Sequence, residues 1–149
     1  MNNDDRYIFF YVGNELYGTP LLDVREVVEY QEPKFMPNMV SHFTGVINIR
    51  GGIVGVMDLR KKFNQKTDVN KTTAFLVSDS DQGSIAAVVD RVDSVQSIAK
   101  ESIDEKPPVM TNVKQEYLIG IAKVKDQLVT LIKLRYLLSD EKLVQISAA

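Results

Sequence analysis

Residues 45–60 read GVINIRGGIVGVMDLR, and the rest of the chain is organised around them. Val46, Ile47 and Ile49 precede a tight Arg50-Gly51-Gly52, while Ile53, Val54, Val56 and Met57 follow it. β-Branched residues dominate both arms, as a half-buried pleated surface prefers. Gly51 and Gly52 are expected to take the positive φ values of a hairpin turn. Arg50 then falls at a strand end on the rim of a sheet, where its position is fixed while its guanidinium stays available to a partner.

The same pattern recurs. GVINIRGGIVGVMDLRKKF lies over GIAKVKDQLVTLIKLRYLL without a gap, Gly45 over Gly120, at an offset of 75 residues. Few positions are identical, Gly45/Gly120, Leu59/Leu134 and Arg60/Arg135 among them, but apolar positions stay in register, including Ile49/Val124, Ile53/Leu128, Val56/Leu131 and Phe63/Leu138. A repeated order of strand, turn, strand and helix predicts two similar β subdomains.

Outward from these two hairpins the chain reads as further short strands. Residues 7–12 are continuously apolar, which predicts a strand buried on both faces, and Gly13-Asn14-Glu15 turns it into a return strand at 16–18. Thr19-Pro20 opens a short turn before a strand over 24–30, and Pro33 and Pro37 frame a loop. Asn38 is expected to cap a short helix over 39–43, closed by Gly45. A second short helix, LRKKF, opens at Asp58 or Leu59, and the polar residues 65–71 form a linker. Strands are expected at 72–78 and 84–89, with a weaker one of broken alternation through Val92, Val95 and Ile98. Pro107-Pro108 marks a loop, strands at 117–124 and 128–132 form the last hairpin, and 134–146 reads as a helix.

Composition narrows the function. The chain has 149 residues, enough for one domain or two small subdomains sharing a core, with 44% hydrophobic and 26% charged residues. Its net charge of -2 and pI near 5.4 give no positive field for nucleic acid or anionic lipid. The absence of cysteine excludes disulfides and thiolate chemistry. The acidic start MNNDDRYIFF is unlike a signal peptide, no apolar run approaches the roughly 20 residues of a membrane span, and cytoplasmic residence is expected.

No catalytic or metal constellation emerges. His42 is the single histidine and reads as an ordinary surface or interfacial residue. Residues 79–83, DSDQG, resemble the start of a calcium loop but lack the third acidic position and the closing glutamate, so a solvated turn is expected. Arg50-Gly51-Gly52 lacks the Gly-Lys-Ser/Thr ending and long helix of a phosphate loop. Lys61-Lys62 reads as a solvated helix face. What remains is a β-rich module with apolar edges, suited to binding other proteins.

GVINIRGGIVGVMDLR resembles the signature segment of the CheW family of chemotaxis coupling proteins, in which a Gly-Val-x-Asn-Leu-Arg-Gly turn leads through two apolar residues, usually then a proline, to Asp-Leu-Arg. YGTPLLDVREVVEY is similar to the family's first receptor-facing region, and EYLIGIAKVKDQLVTLIKLRYLL to its closing hairpin and helix. The resemblance implies a mainly β fold: two small five-stranded Src-homology-type barrels side by side, with short helices and a C-terminal helix. It implies a single domain over 1–149, with subdomains near 12–70 and 71–138 joined by the N-terminal strand and C-terminal helix. It also implies a non-enzymatic scaffold, without cofactor or metal, that couples the cytoplasmic tip of methyl-accepting chemotaxis receptors to the regulatory domain of the histidine kinase CheA. Such a protein is recruited to membrane receptor arrays without inserting in the membrane. An adaptor of a non-flagellar motility or surface-sensing kinase pathway is the alternative.

Carried over position by position, the resemblance implies receptor contact by Arg50, with Val24, Glu26 and Val27 lining the same groove, and kinase contact by Asp104 and Val109. Gly55 stands where proline is common in the family, and Gly52 where a bulkier residue is usual. Both are expected to loosen the hairpin that presents Arg50.

Overall fold

The structure is a computed structural model that describes residues 5–37, 43–81, 83–106 and 113–139. In chain order the strands are β1 (Arg6–Val12), β2 (Glu15–Pro20), β3 (Glu26–Glu29), β4 (Phe43–Ile49), β5 (Gly52–Asp58), β6 (Ala74–Ser80), β7 (Gly83–Val89), β8 (Arg91–Ser97), β9 (Ile103–Asp104), β10 (Leu118–Val124) and β11 (Gln127–Ile132). Two short helices, α1 (Leu59–Lys62) and α2 (Leu134–Ser139), follow β5 and β11. Asp58 starts α1 by accepting the Arg60 amide on its side chain, as a helix N-cap does.

The strands form two sheets, one in the order β8-β1-β2-β11-β10-β9 and the other β3-β6-β7-β5-β4. Both repeated hairpins are present at equivalent places. β4 and β5 pair from Phe43↔Met57 to Ile49↔Gly52, and β10 and β11 from Leu118↔Ile132 to Val124↔Gln127. Each carries a register shift just before its glycine, Gly45 or Gly120. Each second strand then runs parallel to a neighbour, Gly55 opposite Ile85 and Thr130 opposite Tyr17. The other edges match too: Val46 bridges Lys34, and Ile121 pairs with Asp104.

The two bulge glycines are required by close backbone approach. A Cβ on Gly45 would lie 2.2 Å from the Lys34 carbonyl oxygen, and one on Gly120 would lie 2.5 Å from that of Asp104. A side chain at either place would therefore drive the adjoining backbone away.

Sheet membership interleaves the chain. The N-terminal hairpin β1–β2 joins the C-terminal hairpin, with β2 running parallel to β11, whereas β6 and β7 complete the sheet of β4 and β5. The strands therefore divide differently from the expected 12–70 and 71–138: residues 74–89 belong with the first repeated hairpin and residues 6–20 with the second. Parallel pairing is the physical reason, because β5 and β11 each need a neighbour that no tight turn can supply.

Nor do the hydrogen-bonded ladders close into barrels. β3 and β4 are the outer strands of the five-stranded sheet, β4 carrying the single Lys34 bridge at Val46. The sheet is nevertheless strongly curled, since Val28 from β3 and Ile47 and Ile49 from β4 pack into one cluster with Val54, Val56, Phe75, Val77, Ala86 and Val88.

Three apolar clusters follow from strand alternation. On β1, Ile8, Phe10 and Val12 point into the core shared by both sheets, while Phe9 points into the six-stranded sheet's own cluster with Leu16, Val129 and Leu131. This is the two-sided burial that the continuous apolarity of residues 7–12 predicts. Leu59, Phe63, Leu134, Leu137 and Leu138 bring both helix regions into the shared core, and Tyr17 stacks on Phe63 at 5.1 Å.

Several local expectations meet a different outcome. Phe43 begins β4, its buried ring opposite Met57, and does not end a helix; the remainder of the expected 39–43 helix, with His42, lies outside the described residues. The broken alternation after Val92 reflects a register shift, because Phe9 pairs with Ser94 and Phe10 with Val92, leaving Asp93 without a partner position. Of the expected C-terminal helix, Leu134–Ser139 is described as α2 and the rest lies outside the described residues, as does Pro107-Pro108.

Candidate functional site

The first hairpin turns through Arg50 and Gly51, with φ values of 48° and 83°. Gly52 is already the first residue of β5. The sequence expectation placed the turn one residue late: Arg50 is at the apex, not at a strand end. Two consecutive residues at positive φ match the right-handed twist of the flanking strands, which makes this the favoured two-residue hairpin turn. Arg50 adopts a conformation that disfavours any side chain with a Cβ.

Arg50 is 72% exposed at its side chain, yet it is held. Its Nη2 donates to Glu26 Oε2 at 2.5 Å. Glu26 sits on β3, the opposite outer strand of the sheet, so this ion pair spans the gap that the backbone ladder leaves open. Gln31 Nε2 reaches the Asn48 carbonyl at 3.5 Å across the same gap. Arg25 Nε donates to the same Glu26 oxygen at 3.3 Å, and Arg25 Nη1 donates to Asp79 Oδ1 at 2.6 Å and Ser84 Oγ at 2.9 Å. Arg50, with Arg25 adding to it, holds the Glu26 carboxyl below the usual carboxylate range.

The turn has its own support. Asn48 Oδ1 accepts the Gly51 amide at 3.0 Å. In the second hairpin Lys125 and Asp126 take φ values of 49° and 64°, and Lys123 stands where the first hairpin has Asn48. The two turns are therefore alike in backbone and different in chemistry.

Of the residues expected at the receptor surface, the structure joins Arg50 directly to Glu26 and separates the two valines. Glu26 and Val27 are consecutive in β3 and face opposite sides of it; Val27 is 47% exposed. Val24 lies just before β3, partly buried, packed with Leu21 against the shared core. The four do not line one groove. Asp104 lies exposed on the edge strand β9, its Oδ1 accepting the Lys106 amide at 3.0 Å. Val109 lies outside the described residues.

An apolar cleft of about 460 Å³ lies beside the hairpin, lined by Met36, Val46, Ile47 and Ile53 among others. Phe35 and Ile53 are 76% and 77% exposed near it. The expected solvated turn after Asp79 is a hairpin connection whose first acid is engaged by Arg25 and Ser84. Lys61 is exposed, while the Lys62 ammonium lies 5.9 Å from the centre of the Tyr117 ring. Among the described residues, no three metal-ligating side chains gather, and no helix is long and apolar enough to cross a membrane.

Sequence reasoning gave no role to the charged cluster at the far end of β5. Arg60, 1% exposed, makes a two-point pair with Asp58, Nε to Oδ1 at 2.9 Å and Nη2 to Oδ2 at 3.0 Å. Its Nη1 donates to the Asp68 carbonyl at 2.6 Å and to Asp90 Oδ1 at 3.2 Å, while Asp90 Oδ2 accepts the Gly13 amide at 2.6 Å. Burial works against the guanidinium's charge, but pairing with Asp58 and Asp90 outweighs it and raises the Arg60 pKa. One arginine thus fastens the end of the Arg50 hairpin, the 65–71 linker and, through Asp90, the β1–β2 turn of the other sheet. Asp58-x-Arg60 is visible in sequence, but Asp90 and Gly13 are too distant in the chain to be paired with it on sight.

Comparison with known proteins places this geometry. A family model described as the CheW-like domain matches residues 6–142. The chain is 33% identical over 138 residues to the Chemotaxis protein CheW of Klebsiella aerogenes, covering 92% of this chain and 83% of that protein. It is 28% identical over 137 residues to the Chemotaxis protein CheW of Helicobacter pylori, covering 91% and 82%. The crystal structure of the scaffolding protein TtCheW from Thermoanaerobacter tengcongensis superposes with a TM-score of 0.80 at 32% identity, over 92% of this chain and 89% of that one. Matches of this extent over both sheets and both repeated hairpins place the chain in the CheW-like domain family, and it is a member of that family.

Proposed function

We propose that the protein is the coupling scaffold of a chemotaxis signalling complex, joining the cytoplasmic tip of methyl-accepting receptors to the regulatory domain of the histidine kinase CheA. Family membership supports a scaffold role over catalysis. The observation that carries the receptor assignment is the first hairpin's apex: Arg50 presents an exposed guanidinium on a backbone fixed by its turn and anchored by Glu26. The second hairpin, built on the same backbone plan, presents Lys125 and Asp126 instead.

Receptor recognition then rests on charge supplied by Arg50 and Glu26, with Val27 adding an exposed apolar contact on the other face of β3 and Val24 supporting the strand from within. Asp104 on its exposed edge, with Val109, is the proposed kinase contact. Through these two faces the scaffold is held at receptor arrays on the membrane without crossing it.

Reconstitution tests this reading. Purified protein mixed with receptor signalling fragments and CheA is expected to give a ternary complex whose kinase autophosphorylation responds to the receptor. A protein that binds neither partner, or that binds both without altering kinase output, refutes it.

A further inference from the structure

The Arg50 turn poses a local problem. A hairpin apex at positive φ suits glycine, asparagine or aspartate, yet the first of its two positions is occupied by arginine. The second hairpin sets Lys125 at the equivalent place with φ 49°, so the turn forms without glycine there, and what distinguishes the Arg50 turn is how firmly its apex is held. The Glu26 pair fixes the guanidinium, but it acts at the end of a long side chain and does not set the backbone.

Asn48 acts on the backbone itself. Its Oδ1 accepts the amide of Gly51, the second turn residue, at 3.0 Å, and so ties the apex to the strand that leads into it. The repeat supplies an internal comparison. At the equivalent place Lys123 carries an ammonium, which has donors and no acceptor, and it meets Asp126 only through an exposed pair at 3.9 Å. The side-chain-to-amide brace therefore belongs to the turn that presents Arg50.

We infer that Asn48 is the positioning residue of the receptor site: it holds the Arg50–Gly51 apex in the geometry that lets Arg50 reach Glu26 and a partner's acidic or carbonyl group. The inference rests on the assignment of Arg50 to receptor contact, but its structural half is independent of that. Gly52, which leaves the following strand without a side chain at its first position, makes such a brace more necessary.

The test combines amide exchange with a mutant cycle on the full-length chain. In Asn48→Ala the Gly51 amide is expected to exchange about five-fold faster, the loss of one typical hydrogen bond, with receptor-fragment affinity falling by a similar factor and CheA affinity unchanged. Asn48→Asp, which keeps the acceptor, is expected to restore slow Gly51 exchange. In an Arg50→Ala background, Asn48→Ala is expected to cost no further receptor affinity. Unchanged Gly51 exchange in Asn48→Ala overturns the brace. An equal affinity loss with and without Arg50 overturns positioning, since Asn48 would then contact the receptor itself. If Arg50→Ala leaves receptor affinity intact, the receptor assignment of Arg50 fails, and the positioning role with it, whereas the exchange result still reports on the brace alone.

Discussion

Replacing Arg60 by methionine removes the most buried charge described in the protein and leaves Asp58, 5% exposed, without its two-point partner. Methionine fills much of the same volume, so a cavity is not the main cost. The cost is an uncompensated carboxylate, about 3–5 kcal/mol when one member of a buried pair is deleted. For a domain of this size each kcal/mol lowers Tm by roughly 2–4 °C, so a fall of about 10 °C is expected. Loss of the contacts to the Asp68 carbonyl and Asp90 acts in the same direction. Urea unfolding followed by far-ultraviolet circular dichroism measures the free energy, and an unchanged slope against denaturant shows that the unfolded state has not shifted. Asp58→Asn and the double variant complete a cycle, in which coupling of about 1–3 kcal/mol is expected for groups in direct contact. A loss below about 1 kcal/mol for Arg60→Met, or strictly additive single variants, would refute the claim that this cluster fastens the two sheets.

Three further outcomes follow from the geometry. Gly45→Ala and Gly120→Ala should each destabilise by about 2 kcal/mol or more, because a Cβ meets the adjoining backbone, whereas Gly52→Ala, whose Cβ would find only the Ile49 carbonyl at 3.4 Å, should stay within about 0.5 kcal/mol; thermal melts distinguish them. Arg50→Ala should return the Glu26 carboxyl upward toward its ordinary titration range, read from its side-chain carbon shift by NMR, and an unmoved titration would show that the pair does not form in solution. Burial first of all raises the phenol pKa of Tyr7, Tyr17 and Tyr30 above the ordinary tyrosine value, most strongly for Tyr17, so the folded chain holds these protons more tightly than the unfolded one. Their contribution to stability is complete below pH 10 and is lost as pH rises through the folded values. Absorbance at alkaline pH should therefore show Tyr17 ionising only as the chain unfolds, and Tyr17→Phe should flatten the alkaline loss.

Much of the architecture was legible because it is written locally. The hairpins at residues 45–60 and 120–132 announce themselves by β-branched arms around a turn, and the 75-residue offset predicts their equivalence down to the bulge glycines. Asp58 as the cap of α1 is likewise a short-range signal. What escaped reading is long-range. Nothing in the sequence of residues 6–20 says that they run beside β11 instead of β5, since parallel partners are chosen by the shared core and not by a turn. The Arg60–Asp90–Gly13 chain is hidden for the same reason. At the proposed receptor site, family resemblance singles out Arg50 and Glu26, and the structure joins them in one ion pair. The single groove was not sound, because Glu26 and Val27 are consecutive in a strand and must diverge. The turn was misplaced by one residue because glycine preference favoured Gly51-Gly52, while the actual apex sets arginine at positive φ with an asparagine brace.

Arg50 is the proposed receptor contact of a scaffold whose proposed kinase contact, Asp104 with Val109, lies elsewhere. Arg50→Glu, measured side by side against receptor fragments and against CheA, tests this most directly. Receptor affinity is expected to fall about ten-fold or more, equivalent to about 1.4 kcal/mol, with CheA affinity within about two-fold of the unaltered protein and an unchanged Tm. Affinities for both partners falling together in a correctly folded variant, or receptor affinity left intact, would contradict it.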